Sequence, residues 1–174
     1  MPSRGRSVDE RAAECATRAW GAGPGPCNKV PKMAHELPFA LDRGFDRVYG
    51  LEVTEVGDGV LRGAVAVRDE IKQHAGLVHG GVYASIAESL ASAGTALGAG
   101  AGKLAMGLSN HTSFLCPITE GTITACARAR HRGRTTWVWE VECSNDAGRL
   151  CALARVTVAI RDAPPGQSPP RPSQ

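Results

Sequence analysis

The chain has 174 residues, of which 43% are hydrophobic, and its formal net charge at pH 7 is +3. This length and composition predict one domain with a buried core. The charge is too small to favour nucleic acid as a partner, and we expect none.

The cysteines and the N-terminal residues give expectations about the compartment. None of the six cysteines forms a C-x-x-C pair, and no Cys/His group has the spacing of a zinc site. No apolar segment follows the first arginines, so no signal peptide is predicted. The segment 75–102 is poor in charge, but it contains His79 and Glu88 and is not interpreted as membrane-spanning. These observations predict a reduced, cytoplasmic chain without a metal site.

The chain is predicted to contain one folded domain with two disordered flanks. Residues 1–34 form the first flank, because the run from Gly21 to Pro26 contains only glycine, alanine and proline. Residues 163–174 are rich in proline and serine and form the second. The domain therefore covers residues 35–162.

Three short elements are predicted before the centre of the domain. Residues 36–50 favour a short helix with an irregular middle. Residues 51–57 and 59–68 read as strands joined at Gly57-Asp58-Gly59, which is a hairpin turn signal.

A long helix is predicted to follow a glycine-rich turn that begins at Gln73. One face of this helix is apolar at helical spacing, and its members are Val82, Ile86, Leu90, Ala93 and Leu97. A second line is small and polar, and it contains Gly81, Ser85, Glu88, Ser92 and Thr95. No Lys or Arg on the helix can pair with Glu88, so this residue is either an ordinary solvated acid or part of a site.

Four more strands are predicted after the helix, at about 104–115, 121–131, 134–145 and 150–161. Trp137 and Trp139 share one strand face, where packing is the favoured role. One apolar helix followed by a long run of strands indicates an α+β fold, with the helix buried against an antiparallel sheet.

The motif residues resemble those of the hotdog-fold acyl-CoA thioesterases. The likeness is to the branch with the phenylacetate-pathway, 4-hydroxybenzoyl-CoA and 1,4-dihydroxy-2-naphthoyl-CoA thioesterases. It is carried by Gln73, Gly76-Leu77-Val78-His79-Gly80-Gly81, Ala87-Glu88-Ser89, Ser92, Gly107-Leu108, Pro117, Glu120-Gly121 and Gly133-Arg134. The resemblance implies a sheet wrapped around the central helix, homodimers that often pair into homotetramers, an acyl-CoA substrate and no separate cofactor.

The resemblance also implies roles for five residues. Glu88 is the catalytic carboxylate, acting as a general base or as a nucleophile, and Ser92 holds it or the water. The Gly81 amide donates to the thioester carbonyl, and Gln73 and His79 position the thioester. From the sequence itself, His79 has the alternative of capping the helix, and Ser92 that of helix packing.

The strand after the helix departs from the family pattern. Relatives often carry an Asn and a His-His-Arg-Pro-like run there, but this chain has Ser113-Phe114-Leu115-Cys116-Pro117. Arg130, Arg132 and Arg134 are candidates for the CoA phosphates, with a solvated hairpin as the alternative.

The spacing of the two central residues constrains the assembly. Gly81 and Glu88 are seven residues apart, about 10 Å along a helix. One carbonyl carbon cannot easily reach both, so the spacing predicts a site shared across a two-fold interface.

Two other functions fit parts of the sequence. Asp69 and His74 have the D-x4-H spacing of hotdog enoyl-CoA hydratases and dehydratases, although this reading leaves Glu88 without a role. The altered run at Cys116 also allows a non-catalytic acyl-CoA-binding domain.

Overall fold

The computed structural model describes residues 44–164. Its elements are α1 (Gly44–Tyr49), β1 (Glu52–Gly57), β2 (Val60–Ala66), a 3-10 turn (Asp69–Ile71), α2 (Gly80–Ala99), β3 (Lys103–Phe114), β4 (Thr122–Arg132), β5 (Thr136–Ser144) and β6 (Leu150–Asp162). The two predicted flanks lie outside these residues, apart from positions 163 and 164, and remain predictions. No helix in the described part of the chain is long and apolar enough to cross a membrane.

The six strands form one antiparallel sheet in the order β1-β2-β4-β5-β6-β3. The long helix α2 packs against β2, β3, β4, β5 and β6. Because β3 is an edge strand, one side of its backbone has no partner strand within the sheet. The α+β prediction is therefore confirmed, with one helix lying across a single long sheet.

The core lies between α2 and the sheet. Ile86, Leu90 and Ala93 of the predicted apolar face are each 0% exposed, so the helical spacing identified the buried face correctly. Trp139 is also fully buried, and a Cβ at Gly94 would lie 2.4 Å from its ring. The helix can approach the sheet this closely because Gly94 has no side chain.

Thr95 belongs to the core and not to an open polar line. It is fully buried, its hydroxyl donates to the Ala91 carbonyl at 2.8 Å, and the indole N–H of Trp139 donates to it at 2.9 Å. The helical spacing placed Thr95 on the same face of α2 as Ser92, but the sheet covers the helix at Thr95.

Replacing Thr95 by valine is expected to lower the free energy of unfolding by about 1–3 kcal/mol, because the buried indole N–H loses its acceptor. Thr95→Ser keeps the hydroxyl and should lose only about 1 kcal/mol through the missing methyl group. Urea unfolding of both variants measures the difference. Equal losses for valine and serine would show that the hydrogen bond contributes little.

The short helix α1 is tied to α2 by hydrogen bonds between side chains. The Ser89 hydroxyl lies 2.9 Å from the Tyr49 hydroxyl and donates to Asp46 at 2.5 Å, and Tyr49 also donates to Asp46. Burial, with the nearby Asp46 carboxylate as a second cause, raises the pKa of Tyr49 well above its ordinary value. This phenol therefore stays protonated and acts as a donor.

One cysteine departs from the predicted reduced state. Cys143 and Cys151 are free thiols in the core, and burial raises the pKa of Cys143 to about 12. Cys126 lies between Ala125 and Ala127, which face the core, so strand alternation turns it to the opposite face of the sheet. It is disulfide-bonded, so the prediction of a fully reduced chain is wrong at this position.

Candidate active site

The start of α2 is fixed by His79. Its backbone adopts an extended conformation, and its Nδ1 accepts a hydrogen bond from the Gly81 N–H at 2.9 Å. Its own N–H donates to the Ile71 carbonyl at 2.9 Å. His79 therefore caps the helix, which is the alternative that the sequence left open for it.

This cap changes which glycine is available to a substrate. The N–H of Gly81 is already used by His79, so it can reach a carbonyl only if that bond is broken. The N–H of Gly80, the first residue of the helix, has no hydrogen-bond partner among the described residues. The geometry therefore favours Gly80 over the predicted Gly81 as the free donor.

Gly80 and Gln73 line the same cleft, of about 480 Å³, which we call the Gln73 cleft. Its other lining residues are Leu77, Val78, Tyr83, Phe114, Leu115, Cys116 and Pro117. A Cβ at Gly80 would lie 2.9 Å from the Phe114 ring, so the aromatic ring rests directly on the helix start. Burial raises the pKa of Tyr83 to about 12, and its buried hydroxyl has no partner in the described part of the chain.

A second cleft, of about 400 Å³, lies between α1 and α2, and we call it the α1 cleft. It is lined by Phe45, Val48, Tyr49, Glu70, Ile71, Lys72, His79, Gly81, Val82 and Ser85. Gly80 lines the Gln73 cleft and Gly81 lines the α1 cleft, so both clefts adjoin the N-terminal end of α2. A thioester held at this end therefore has space on both sides.

Glu88 is half-buried on the side of α2 that faces β3. Its Oε1 accepts from the Ser92 hydroxyl at 3.4 Å, and its Oε2 accepts from the Asn110 amide at 3.4 Å. A Cβ built on Gly107 would lie 1.9 Å from Oε1, so the carboxylate occupies the space above this glycine. Ser92 and Asn110 therefore both contact the Glu88 carboxylate, and the contact with Asn110 was not among the predictions from the sequence.

Glu88 is separated from the other predicted site residues within one subunit. It lines neither the Gln73 cleft nor the α1 cleft. The structure brings Gln73, His79, Gly80 and Gly81 together at the helix start, and it places Glu88 with Ser92 two turns further along.

Two of the three predicted phosphate-binding arginines already have acidic partners. Arg130 pairs with Glu140, and Arg132 pairs with Asp58 at 2.6 Å while lying 4.6 Å from the Trp137 ring centre. The third, Arg134, is exposed. Arg132 lines a small cavity with Gly98, near the far end of α2 from Gly80. The solvated-hairpin interpretation fits these contacts better than a role at the helix start.

Asp69 and His74, whose spacing suggested a hydratase, are poorly suited to acid/base catalysis. Asp69 is exposed and bonded to Lys72 at 2.8 Å, and this hydrogen bond holds the pKa of its carboxyl below the ordinary value. A carboxyl with a lowered pKa is a weak general acid at neutral pH. His74 is exposed in the loop before the helix.

Comparison with known proteins identifies the family. The family model described as "Thioesterase superfamily" matches residues 75–152. A 1,4-dihydroxy-2-naphthoyl-CoA hydrolase of Listeria monocytogenes is 30% identical over 118 residues, which cover 68% of this chain and 96% of that protein. A mutant thioesterase of Pseudomonas aeruginosa has a crystal structure that covers 70% of this chain and 88% of its own, with 31% identity and a TM-score of 0.67.

A thioesterase of Staphylococcus aureus is also similar, with 29% identity and a TM-score of 0.65 over 67% of this chain and 97% of that one. It has been solved as two alanine variants, one replacing a glutamate and the other a glutamine fifteen positions earlier in that chain.

The fold and the matches define the class of protein. A long antiparallel sheet around one central helix is the hotdog fold of these thioesterases. The chain belongs to the thioesterase superfamily, and its class of activity is thioester hydrolysis.

Proposed function

We propose that this protein hydrolyses an acyl-CoA thioester, with an aryl or medium-chain acyl group, to a free acid and CoA. The observation that carries the proposal is the half-buried Glu88 carboxylate, which has hydrogen-bond donors but no ion-pair partner among the described residues. Such a group can take a proton from water or attack a carbonyl carbon.

The reaction requires a donor for the developing oxyanion. The Gly80 N–H lies at the positive end of the α2 dipole and has no hydrogen-bond partner within residues 44–164, so it can donate to the carbonyl oxygen. Water then adds to the carbonyl carbon directly, or hydrolyses an anhydride formed on Glu88. In both routes the C–S bond breaks, and the thiolate of CoA leaves and takes up a proton.

The exposed edge of β3 supports a site shared between two subunits. Phe114, at the end of β3, rests on Gly80, and Gly107, near its start, lies under Glu88. Antiparallel pairing of two β3 strands about a two-fold axis would place the start of one beside the end of the other. Glu88 of the partner subunit would then face the Gln73 cleft.

The relatives support the substrate and the residues. The Listeria protein is named for a CoA ester, which favours CoA as the thiol. The fifteen-residue separation of the glutamine and glutamate replaced in the Staphylococcus protein is also that of Gln73 and Glu88. A cytoplasmic homodimer or homotetramer remains part of the proposal.

A thiol-release assay over aryl-, alkyl- and enoyl-CoA esters tests the function. Release of free CoA from saturated esters is the expected result. Addition of water to an enoyl-CoA without thiol release would identify a hydratase. Tight binding without turnover would identify an acyl-CoA-binding domain.

Replacing Gly80 by proline is expected to reduce kcat by about 100-fold, because it removes the proposed oxyanion donor. Proline is tolerated at the first position of a helix, and the extended backbone of His79 suits a following proline.

Gly80→Ala is the matched control, since it adds the same contact with Phe114 but keeps the N–H. Steady-state kinetics of both variants should show a much larger loss for proline. Similar losses for alanine and proline would assign the defect to crowding and remove Gly80 from the mechanism.

A further inference from the structure

The strand β3 contains a bulge beside Glu88. Gly107 pairs with Val158 and Ser109 pairs with Thr157, so Leu108 is an extra residue without a partner on β6. Gly107 and Asn110 are three positions apart and would face opposite sides of a regular strand. The extra residue reverses the alternation, and both face α2.

Gly107 is needed here for space. Its φ angle is not in the positive region, so its backbone could carry any residue. A Cβ, however, would lie 1.9 Å from Glu88 Oε1 and 2.9 Å from the carboxyl carbon. Any side chain at this position must displace the carboxylate.

Asn110 is held in one orientation by its two other hydrogen bonds. Its Nδ2 donates to the Ala84 carbonyl at 2.9 Å, one turn before Glu88 on α2. Its Oδ1 accepts from the Thr112 hydroxyl at 2.8 Å. With the oxygen held by Thr112, the amide nitrogen must point at the helix, where it also reaches Glu88 Oε2 at 3.4 Å.

We propose that the β3 bulge positions the reactive carboxylate, with Gly107 providing the space and Asn110 the donor that fixes Glu88. This inference rests on the proposed role of Glu88. Asn110 is a positioning residue in it, because its contact is with Glu88 and not with substrate. It extends the holding role of Ser92 to a second element, so the carboxylate is fixed from the helix and from the sheet.

The test compares Asn110→Ala, Asn110→Asp and Gly107→Ala with the control Ser109→Ala, whose side chain lies on the other face of β3. Asn110→Ala is expected to lower kcat about tenfold with an unchanged KM. Gly107→Ala should lower kcat further.

Asn110→Asp keeps the shape but places a second negative charge beside Glu88, which raises the pKa of that carboxyl. The acidic limb of its pH–rate profile should therefore move to higher pH, while Ser109→Ala stays at wild type.

Two outcomes would overturn this inference without affecting the proposed function. One is an unchanged kcat and pH profile for the Asn110 variants alongside an inactive Glu88→Gln. The other is a lower melting temperature for Asn110→Ala with wild-type kcat, which would leave Asn110 only a structural bond to Ala84. An active Glu88→Gln would instead remove the proposed function itself. A ¹³C NMR titration of the Glu88 carboxyl in Asn110→Asp provides a readout that does not depend on turnover.

Discussion

Glu88→Gln is expected to reduce kcat by a factor of about 1,000 or more, the largest effect of any single substitution considered. The amide keeps the size of the side chain and can still contact Ser92, but it cannot take a proton from water or form an anhydride. Release of free CoA, followed with a thiol reagent at saturating substrate, measures the loss.

Glu120→Gln, at an exposed turn, is the control and should retain full activity. Circular dichroism and thermal unfolding should show that both variants fold like the wild type, because Glu88 has no ion pair within residues 44–164. Turnover by Glu88→Gln within tenfold of wild type would contradict the mechanism.

Mixing two inactive variants is expected to restore activity if each site uses residues of two subunits. Subunits carrying Glu88→Gln keep Gln73, and subunits carrying Gln73→Ala keep Glu88. A mixed dimer then has one site with both substitutions and one intact site. Random exchange makes half of the dimers mixed, so about a quarter of wild-type activity should return.

The experiment uses co-refolded or co-expressed chains, and each variant alone is the negative control. Mixing Glu88→Gln with Glu88→Ala is the matched control, since no combination of these chains contains an intact site. Failure to recover any activity from proven mixed dimers would show that each subunit carries a complete site. It would also remove the reason for placing Glu88 opposite the Gln73 cleft of another subunit.

The elements that the sequence predicted well are those defined by periodicity. Ile86, Leu90 and Ala93 recur at helical spacing and are buried, because only one face of a helix can lie on a sheet. The hairpin at Gly57-Asp58-Gly59 also joins β1 and β2 as predicted. Both signals depend on residues close together in the chain, which the sequence displays directly.

The details of the site depend on contacts between distant segments or on side-chain conformation. The sequence cannot show that the His79 ring accepts the Gly81 N–H. Because of this bond, the free N–H at the start of the helix is that of Gly80 and not that of Gly81. Arg130 and Arg132 form a basic run in the sequence, yet their partners come from β5 and from the β1–β2 turn. Asn110 was missed because its direction depends on a bulge.

The unpaired Leu108 also affects how related sequences should be aligned through β3. Because one residue is looped out there, a comparison that assumes a regular strand would match inward positions of one protein with outward positions of another. Losing one residue at this point would send Asn110 and Thr112 to the opposite surface, whereas a change of length in the β5–β6 turn would leave those side chains where they are. Relatives that lack the extra residue are therefore expected to hold the carboxylate that corresponds to Glu88 through other contacts.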